Sequence, residues 1–469
     1  MSDTQALFAA LRDKVDADSV AAIERLVASG ADRELARINV LAFAAARGLD
    51  EERAVAAFLH AARLGIFEMV WDVLCPTCGG VLDAALTPKD VHQAPYECAL
   101  CSRSFELSLD EMVEVVFTVS SRVRKIAAHD PQTLPFWDYY RQVYWSSAVD
   151  LSDADIERLI ADFVLDARVL GPGEQARVLM EVPEGWVLLF EPVTHFGHYM
   201  KVAPERSEGL QHLSLAITGE RAATVTTPLK RGALELTIAN RTGARALPFV
   251  FIENRDYDAL AGKRRPHLTA KRLFTNQTFR DLYGSDTLSI DQGLKIVSLT
   301  FLFTDLKGST ELYARLGDLS AYELVRRHFR ALNTIVAKEK GAVVKTIGDA
   351  VMATFPTPDR ALAAALHMRK AVYELGDDAR RGELVLKIGI HAGPCLAVML
   401  NERLDYFGQT VNIAARVQGL AEPDEIIVTQ PIIDDAPSAA MLTAAGVALK
   451  PQRAALKGVA GEVAVYKVA

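Results

Sequence analysis

Apolar residues recur at three- and four-residue spacing through "TQALFAALRDKV", "VAAIERLVAS" and "ERAVAAFLHAARLG", with Gly30, Gly48 and Gly65 as stops. That period predicts amphipathic helices over residues 4–64. The period then changes. "GIFEMVWDVL" and "DEMVEVVFTVSSRVR" read as strands. "PQTLPFWDYYRQVYWSS" is aromatic-rich and broken by proline, which points to core or interdomain packing. From about Val164 to Glu253, short runs such as "ARVLMEVP", "WVLLFEPV", "HLSLAITG" and "ALELTIAN" alternate with turn residues, as in a small β-sandwich. Residues 257–293 form a polar, partly helical connector whose basic run "GKRRPHLTAKR" reads as solvated linker. Beyond it strands and helices alternate, which marks a separate α/β domain.

The chain has 469 residues, half of them hydrophobic, and a formal net charge of −8. Two to four domains are expected. The acidic balance argues against nucleic-acid binding through a whole-protein basic field. No apolar run is long enough to span a membrane. The N-terminus "MSDTQALFAALRDKVDAD" lacks the basic start and apolar block of a secretion signal. A cytoplasmic protein is expected.

Four of the five cysteines fall into two pairs, Cys75 with Cys78 in "CPTCGG" and Cys98 with Cys101 in "CALC". The nineteen residues between the pairs match a four-thiolate zinc ribbon. With all four positions filled by protein, the Zn²⁺ would be structural. Cys395 stands alone beside an apolar strand and reads as a buried thiol. His195 and His198, in "THFGHYM", are left without a role.

The stretch "VVKTIGDAVMATF", residues 343–355, sets β-branched runs on either side of Gly348 and Asp349. It reads as a tight hairpin, with Lys345 just before the turn. Upstream, in "VSLTFLFTDLKGSTELYARLG", an apolar strand ends at Asp305 and a helix is expected to begin near Ser309. A carboxylate beside a helix N-terminus suits a metal-bound phosphate, because free N–H groups and the helix dipole favour the anion. Asp305 and Asp349 converging on a triphosphate would describe a two-metal site.

"FTDLKGST", "KTIGDAVMATF", "KIGIHAGP" and "DYFGQTVNIAAR" resemble, in order, the signature motifs of class III nucleotide cyclases across about residues 295–469. The resemblance implies a ferredoxin-like βαβ core working as a head-to-tail homodimer, with active sites at the interface. The implied products are a 3′,5′-cyclic nucleotide and pyrophosphate. Asp305 and Asp349 match the metal-binding aspartates, with Leu306 grouped beside them, for two Mg²⁺ or Mn²⁺ ions. Lys345 matches a lysine that reads adenine, where guanylate cyclases usually carry glutamate. Asp405, seven residues before Asn412, matches the second base-reading position. Asn412 matches the residue that orients the ribose, and Arg416 the arginine that stabilises the transition state. Lys307, Gly308, Ser309 and Thr310 fall on the phosphate loop, and Lys457 on the lysine that contacts the terminal phosphates. Three departures stand out: the segment between "HAGP" and "LDYFG" is short, Pro394 sits where many family members have a polar residue, and Gln409 follows Gly408 where aspartate is common. The Cys-containing and sandwich segments more loosely resemble an N-terminal region of unknown function that precedes some bacterial cyclase domains.

The expected architecture is multidomain α+β. A helical segment (1–67), a zinc-ribbon-like segment (68–130) and a connector (131–163) lead into a β-sandwich (164–256). A linker (257–293) then leads into a cyclase domain (294–469). The expected activity is conversion of ATP to cyclic AMP. A guanylate cyclase, a nucleotide-binding protein without turnover and a zinc-ribbon nucleic-acid binder are the competing readings.

Overall fold

The computed structural model describes residues 3–91, 95–219, 225–284, 288–289, 292–307, 317–374 and 385–468. The chain divides into two compact units. The first comprises residues up to Leu107 together with Glu111–Leu268, and the second comprises Ser108–Asp110 together with Thr269 onward.

The first unit begins with helices Asp3–Arg12, Ala17–Ser29, Val40–Arg47 and Glu51–Arg63. Asp16, Asn39 and Asp50 cap three of them by accepting backbone N–H groups of the first turn. Phe58 on the last helix meets Phe43, Phe67 and Phe117 at centroid distances of 5.0, 4.9 and 5.2 Å. This cluster fixes the helices against a sheet ordered β2-β1-β5, formed by β1 (Phe67–Leu74), β2 (Val81–Ala85) and β5 (Val113–Val119). Between them lies a short hairpin of β3 (Tyr96–Cys98) and β4 (Arg103–Phe105).

Seven further strands follow: β6 (Val164–Ala167), β7 (Gln175–Val182), β8 (Gly185–Glu191), β9 (Phe196–Arg206), β10 (Gln211–Ile217), β11 (Val225–Asn240) and β12 (Phe249–Glu253). The sandwich expectation meets a continuous hydrogen-bonded path here. The first half of β11 pairs parallel with β9, and its second half pairs with β10 and β7. One long strand therefore serves two strand groups that bury Val187, Leu189, Met200, Leu234, Leu236 and Val250 in a shared core. The aromatic segment packs as core: Tyr140 and Tyr144 lie among Phe190, Phe249 and Phe251.

In the second unit the sheet runs β14-β15-β13-β16-β18-β20-β19, with β17 paired to β16. These strands are β13 (Leu294–Lys307), β14 (Ala342–Ile347), β15 (Ala350–Phe355), β16 (Val385–Leu400), β17 (Arg403–Phe407), β18 (Glu425–Thr429), β19 (Leu449–Ala455) and β20 (Glu462–Val468). Side chains alternate along each strand and sort onto two faces. On β18, Ile426 and Val428 join the core with helices Asp318–Lys338 and Pro358–Tyr373. Ile427 between them joins Val417 of helix Gln409–Gln418 on the other side. Part of the segment expected as linker belongs to this unit. Leu273, Phe274 and Phe279 are buried, and Tyr406 donates its hydroxyl to the Phe274 carbonyl at 3.1 Å. The polar composition around these three anchors hid their packing.

Candidate functional site

Ile347 pairs with Ala350, so Gly348 and Asp349 form a two-residue hairpin turn. Gly348 takes φ of +63° and Asp349 is not among the residues with positive φ. A glycine of positive φ in the first position matches the twist of the flanking strands. Asp349 is thereby held at the tip, next to the end of β13. Asp305 lies near that strand's end, directly across from Lys387 on β16. Burial pushes the Asp305 carboxyl above its usual range, the negative charge of Asp349 adds to this, and Lys387 opposes it. Gln418 also favours the ionised form of Asp305. Two carboxylates that repel each other at a half-buried strand end supply oxygen ligands and a field that a hard divalent cation relieves. His328 lies behind them, fully buried, its imidazole pushed down to about 4 by burial against the pull of Asp349.

Lys345 is placed by an irregularity in the hairpin. Val343 pairs with Ala353 but Lys345 pairs with Met352, so Val344 is an extra residue that re-aims the lysine. Its Nζ lies 2.5 Å from Oδ2 of Asp405, whose side chain is only 9% exposed. Asp405 sits on β17 opposite Val398, and its other oxygen accepts the Tyr406 N–H at 2.8 Å. Within the short segment noted in the sequence, a two-residue turn, Asn401 and Glu402, both with positive φ, joins β16 to β17. The two expected base readers thus form one ion pair.

Asn412 and Arg416 lie on helix Gln409–Gln418. Its last residue packs so tightly on the sheet that a Cβ at Gly389 would lie 2.2 Å from the Gln418 nitrogen. Gln418 is thus on the sheet-facing side of the helix. At 100° per residue, Arg416 is turned about 200° and Asn412 about 240° from Gln418. Asn412 is exposed and Arg416 half-buried. Neither therefore shares the helix face that meets the sheet at Gly389. Arg416 has Gly458 as a neighbour, where a Cβ would be 3.8 Å from its Nη2. That puts the Lys457–Gly458 turn beside the guanidinium. Lys307 is exposed at the end of β13, and Leu306 is buried in the core. Gly308, Ser309 and Thr310, with the expected helix start, lie outside the described residues.

Lys387, Gln418 and His328 were not singled out in the sequence. Lys387 becomes visible only through strand register, and Gln418 only through the close approach at Gly389.

In the first unit the two cysteine pairs meet. The Sγ atoms of Cys75 and Cys101 are 3.8 Å apart, those of Cys78 and Cys98 3.7 Å, and all four lie within 4.8 Å of one another. Tetrahedral Zn–S bonds of about 2.3 Å require sulfur separations of about 3.8 Å. The spacing and the all-thiolate donor set fit a structural zinc ion. The first knuckle is closed by the Gly79 N–H donating to Cys75 O at 2.8 Å and the Gly80 N–H donating to Cys78 Sγ at 3.4 Å. Tyr199 of β9 donates to Leu100 O at 2.5 Å and pins the second knuckle. Cys395 is buried in the second unit, its thiol pushed up to about 12 by desolvation. Among the described residues, no helix is long and apolar enough to cross a membrane.

Residues 1–281 match a family of unknown function, DUF5939, and residues 294–446 match the adenylate and guanylate cyclase catalytic domain. The chain is 36% identical over 132 residues to adenylate cyclase 2 of Rhizobium meliloti, covering 26% of this chain and 36% of that one. It is 32% identical over 173 residues to the uncharacterized protein Rv2212 of Mycobacterium tuberculosis, covering 37% and 40%. Guanylate cyclase 32E of Drosophila melanogaster is 28% identical over 144 residues, covering 28% of this chain and 12% of that one. The matched segment thus spans 36% and 40% of the first two relatives. Among solved structures, the adenylyl cyclase CyaB from P. aeruginosa gives a TM-score of 0.34 at 24% identity, covering 38% of this chain and 96% of that one.

Proposed function

The chain belongs to the DUF5939 family and ends in a class III adenylate/guanylate cyclase catalytic domain, and from that premise we propose that it converts ATP to 3′,5′-cyclic AMP and pyrophosphate. The observation that carries the choice of base is the Lys345–Asp405 ion pair. It offers one donor and one acceptor side by side, which complements the N1 acceptor and the N6 amino donor of adenine. A lysine at this position is also what the family resemblance associates with adenine.

The proposed roles follow from the chemistry of cyclisation, in which the ribose 3′-oxygen attacks the α-phosphorus of the same molecule. Asp305 and Asp349 would hold the divalent metal, Mg²⁺ or Mn²⁺, which when bound lowers the pKa of that hydroxyl and draws charge from the phosphates. Asn412 would orient the ribose. Arg416 would donate to the oxygens that gain charge at phosphorus, and Lys307 or Lys457 would hold the departing pyrophosphate. Gln418 and Lys387 would keep Asp305 in place and ionised. Because the Asn412 and Arg416 face is turned away from the sheet at Gly389 within one chain, a second copy would supply those two residues to each site. The Cys75, Cys78, Cys98 and Cys101 cluster would hold structural Zn²⁺.

The test is turnover by purified protein with ATP and GTP, each with Mg²⁺ and Mn²⁺. Cyclic AMP formed faster than cyclic GMP is the expected result. A GTP preference would move the assignment to a guanylate cyclase, and no product from either nucleotide would overturn the reading.

A further inference from the structure

The first unit contains a cleft of about 410 Å³ whose walls come from residues 26–47, residues 141–156 and Arg265. That is within the ordinary range for a small-molecule site. Five arginines line it: Arg33, Arg37, Arg47, Arg141 and Arg265. The lining carboxylates are Glu34 and Asp153. Glu34 is already engaged, accepting the Ala31 N–H at 2.8 Å. Arg33 and Arg141 share Asp153, at 3.3 and 2.7 Å. Arg37 is satisfied from behind by buried Asp72 at 2.6 Å, with Glu114 at 3.8 Å. Arg265 donates its Nε–H to Ser147 O at 2.8 Å and reaches Asp150 at 3.9 Å, and the Arg47 guanidinium rests 4.1 Å over the Phe43 ring. Among the lining residues themselves, five guanidinium groups stand with two carboxylates.

A second, independent observation points to the same place. Arg141 and Gln142 lie on a π-helical turn, Tyr140–Tyr144, and Ser146 follows it. Such turns are rare and occur frequently at functional sites. Arg141 Nε, Gln142 Oε1 and Ser146 Oγ are all buried without a protein hydrogen-bond partner. Gln142 is 9% and Ser146 3% exposed. Unpartnered buried polar atoms are costly, and the three on this wall have hydrogen-bonding capacity that a bound group or an ordered water would meet.

We propose that this cleft binds a small organic anion through a carboxylate or phosphate group. Arg141 and Arg33 hold the oxyanion, Ser146 adds a hydroxyl donor and Gln142 accepts from a ligand hydroxyl. Guanidinium forks match both oxyanions in geometry. Asp153 is largely exposed, so its pairing with the two arginines is weak and an incoming anion can replace it. Phe43, Leu26 and Ile156 form the apolar part of the wall.

The experiment is isothermal titration calorimetry on the full chain, with inorganic phosphate in one arm and succinate in the other, in chloride buffer. Saturable binding in either arm is expected, and the stronger arm identifies the headgroup. Arg141→Gln, and separately the exposed Arg33→Gln, should each weaken that binding about tenfold, the loss of one charge-assisted contact. Arg158→Gln, on the helix surface with Asp162, should leave it unchanged. No heat of binding in either arm, which would mean that the cleft holds only water, overturns the proposal. So does unchanged affinity in both arginine variants.

Discussion

Lys345 and Asp405 stand 60 residues apart in sequence and meet with Nζ 2.5 Å from Oδ2. The bulge at Val344 aims the lysine, and β17 presents the aspartate from a nearly buried position. The charges are held by two different hairpins, so the pair is a product of the fold and not of local sequence.

Exchanging the lysine should change which purine is used. Lys345→Glu removes the donor and sets two carboxylates against each other. The rate with ATP should fall by about 10- to 150-fold, equivalent to losing a charge-assisted hydrogen bond of about 1.5–3 kcal/mol. The ATP/GTP ratio of kcat/KM should fall with it. An unchanged ratio would remove Lys345 from base reading.

The parts of the site that were legible in the sequence are local. The Gly348–Asp349 turn could be read because two adjacent residues determine it, and the Asn412–Arg416 pair because one helix spaces it. What was hidden depends on pairing between distant segments. Lys387 faces Asp305 only through the β13–β16 register. The bulge that aims Lys345 leaves no mark in "AVVKTI". The double pairing of β11 is likewise set by tertiary contacts: only "ALELTIAN", the run after Gly232, reads as strand in the sequence. The arginine-lined cleft collects residues from positions 33 to 265, so no window of sequence contains it.

Loss of either proposed metal carboxylate should be complementable. Asp305→Ala, Asp349→Ala and Arg416→Ala should each abolish cyclisation alone. Mixing Asp305→Ala with Asn412→Ala protein should restore about a quarter of the wild-type rate, because half the symmetric dimers are mixed and each keeps one of two sites. The basis is that Gln418 meets the sheet at Gly389 from one helix face while Asn412 and Arg416 occupy another. Failure to recover activity after subunit exchange would rule out a shared site.

The thiolate cluster should hold one zinc per chain. Elemental analysis of Cys98→Ser protein should show zinc falling toward zero, whereas Cys395→Ser should keep it. Tyr199 ties the Cys98–Cys101 knuckle to β9, so metal loss should also loosen the sheet. An unfolding temperature lower by at least about 5 °C corresponds to a loss of roughly 2 kcal/mol for a unit of this size. Zinc retained in the Cys98→Ser chain would refute the assignment.

His391 gives the catalytic unit an acid-sensitive element. It is buried, its Nδ1 lies 2.7 Å from Thr429 Oγ1, and desolvation pushes its imidazole down to about 4. An imidazole held below its unfolded value binds fewer protons in the native state than in the unfolded state. Its contribution is therefore complete above about pH 6.5 and is lost as pH falls toward 4. The gap corresponds to roughly 3 kcal/mol. His328 has the same sign, so both histidines act together. In denaturant unfolding of the full chain, the stability advantage of wild type over His391→Gln should shrink by about that amount between about pH 7 and 4. A difference that stays constant with pH would show that His391 is not held neutral by burial.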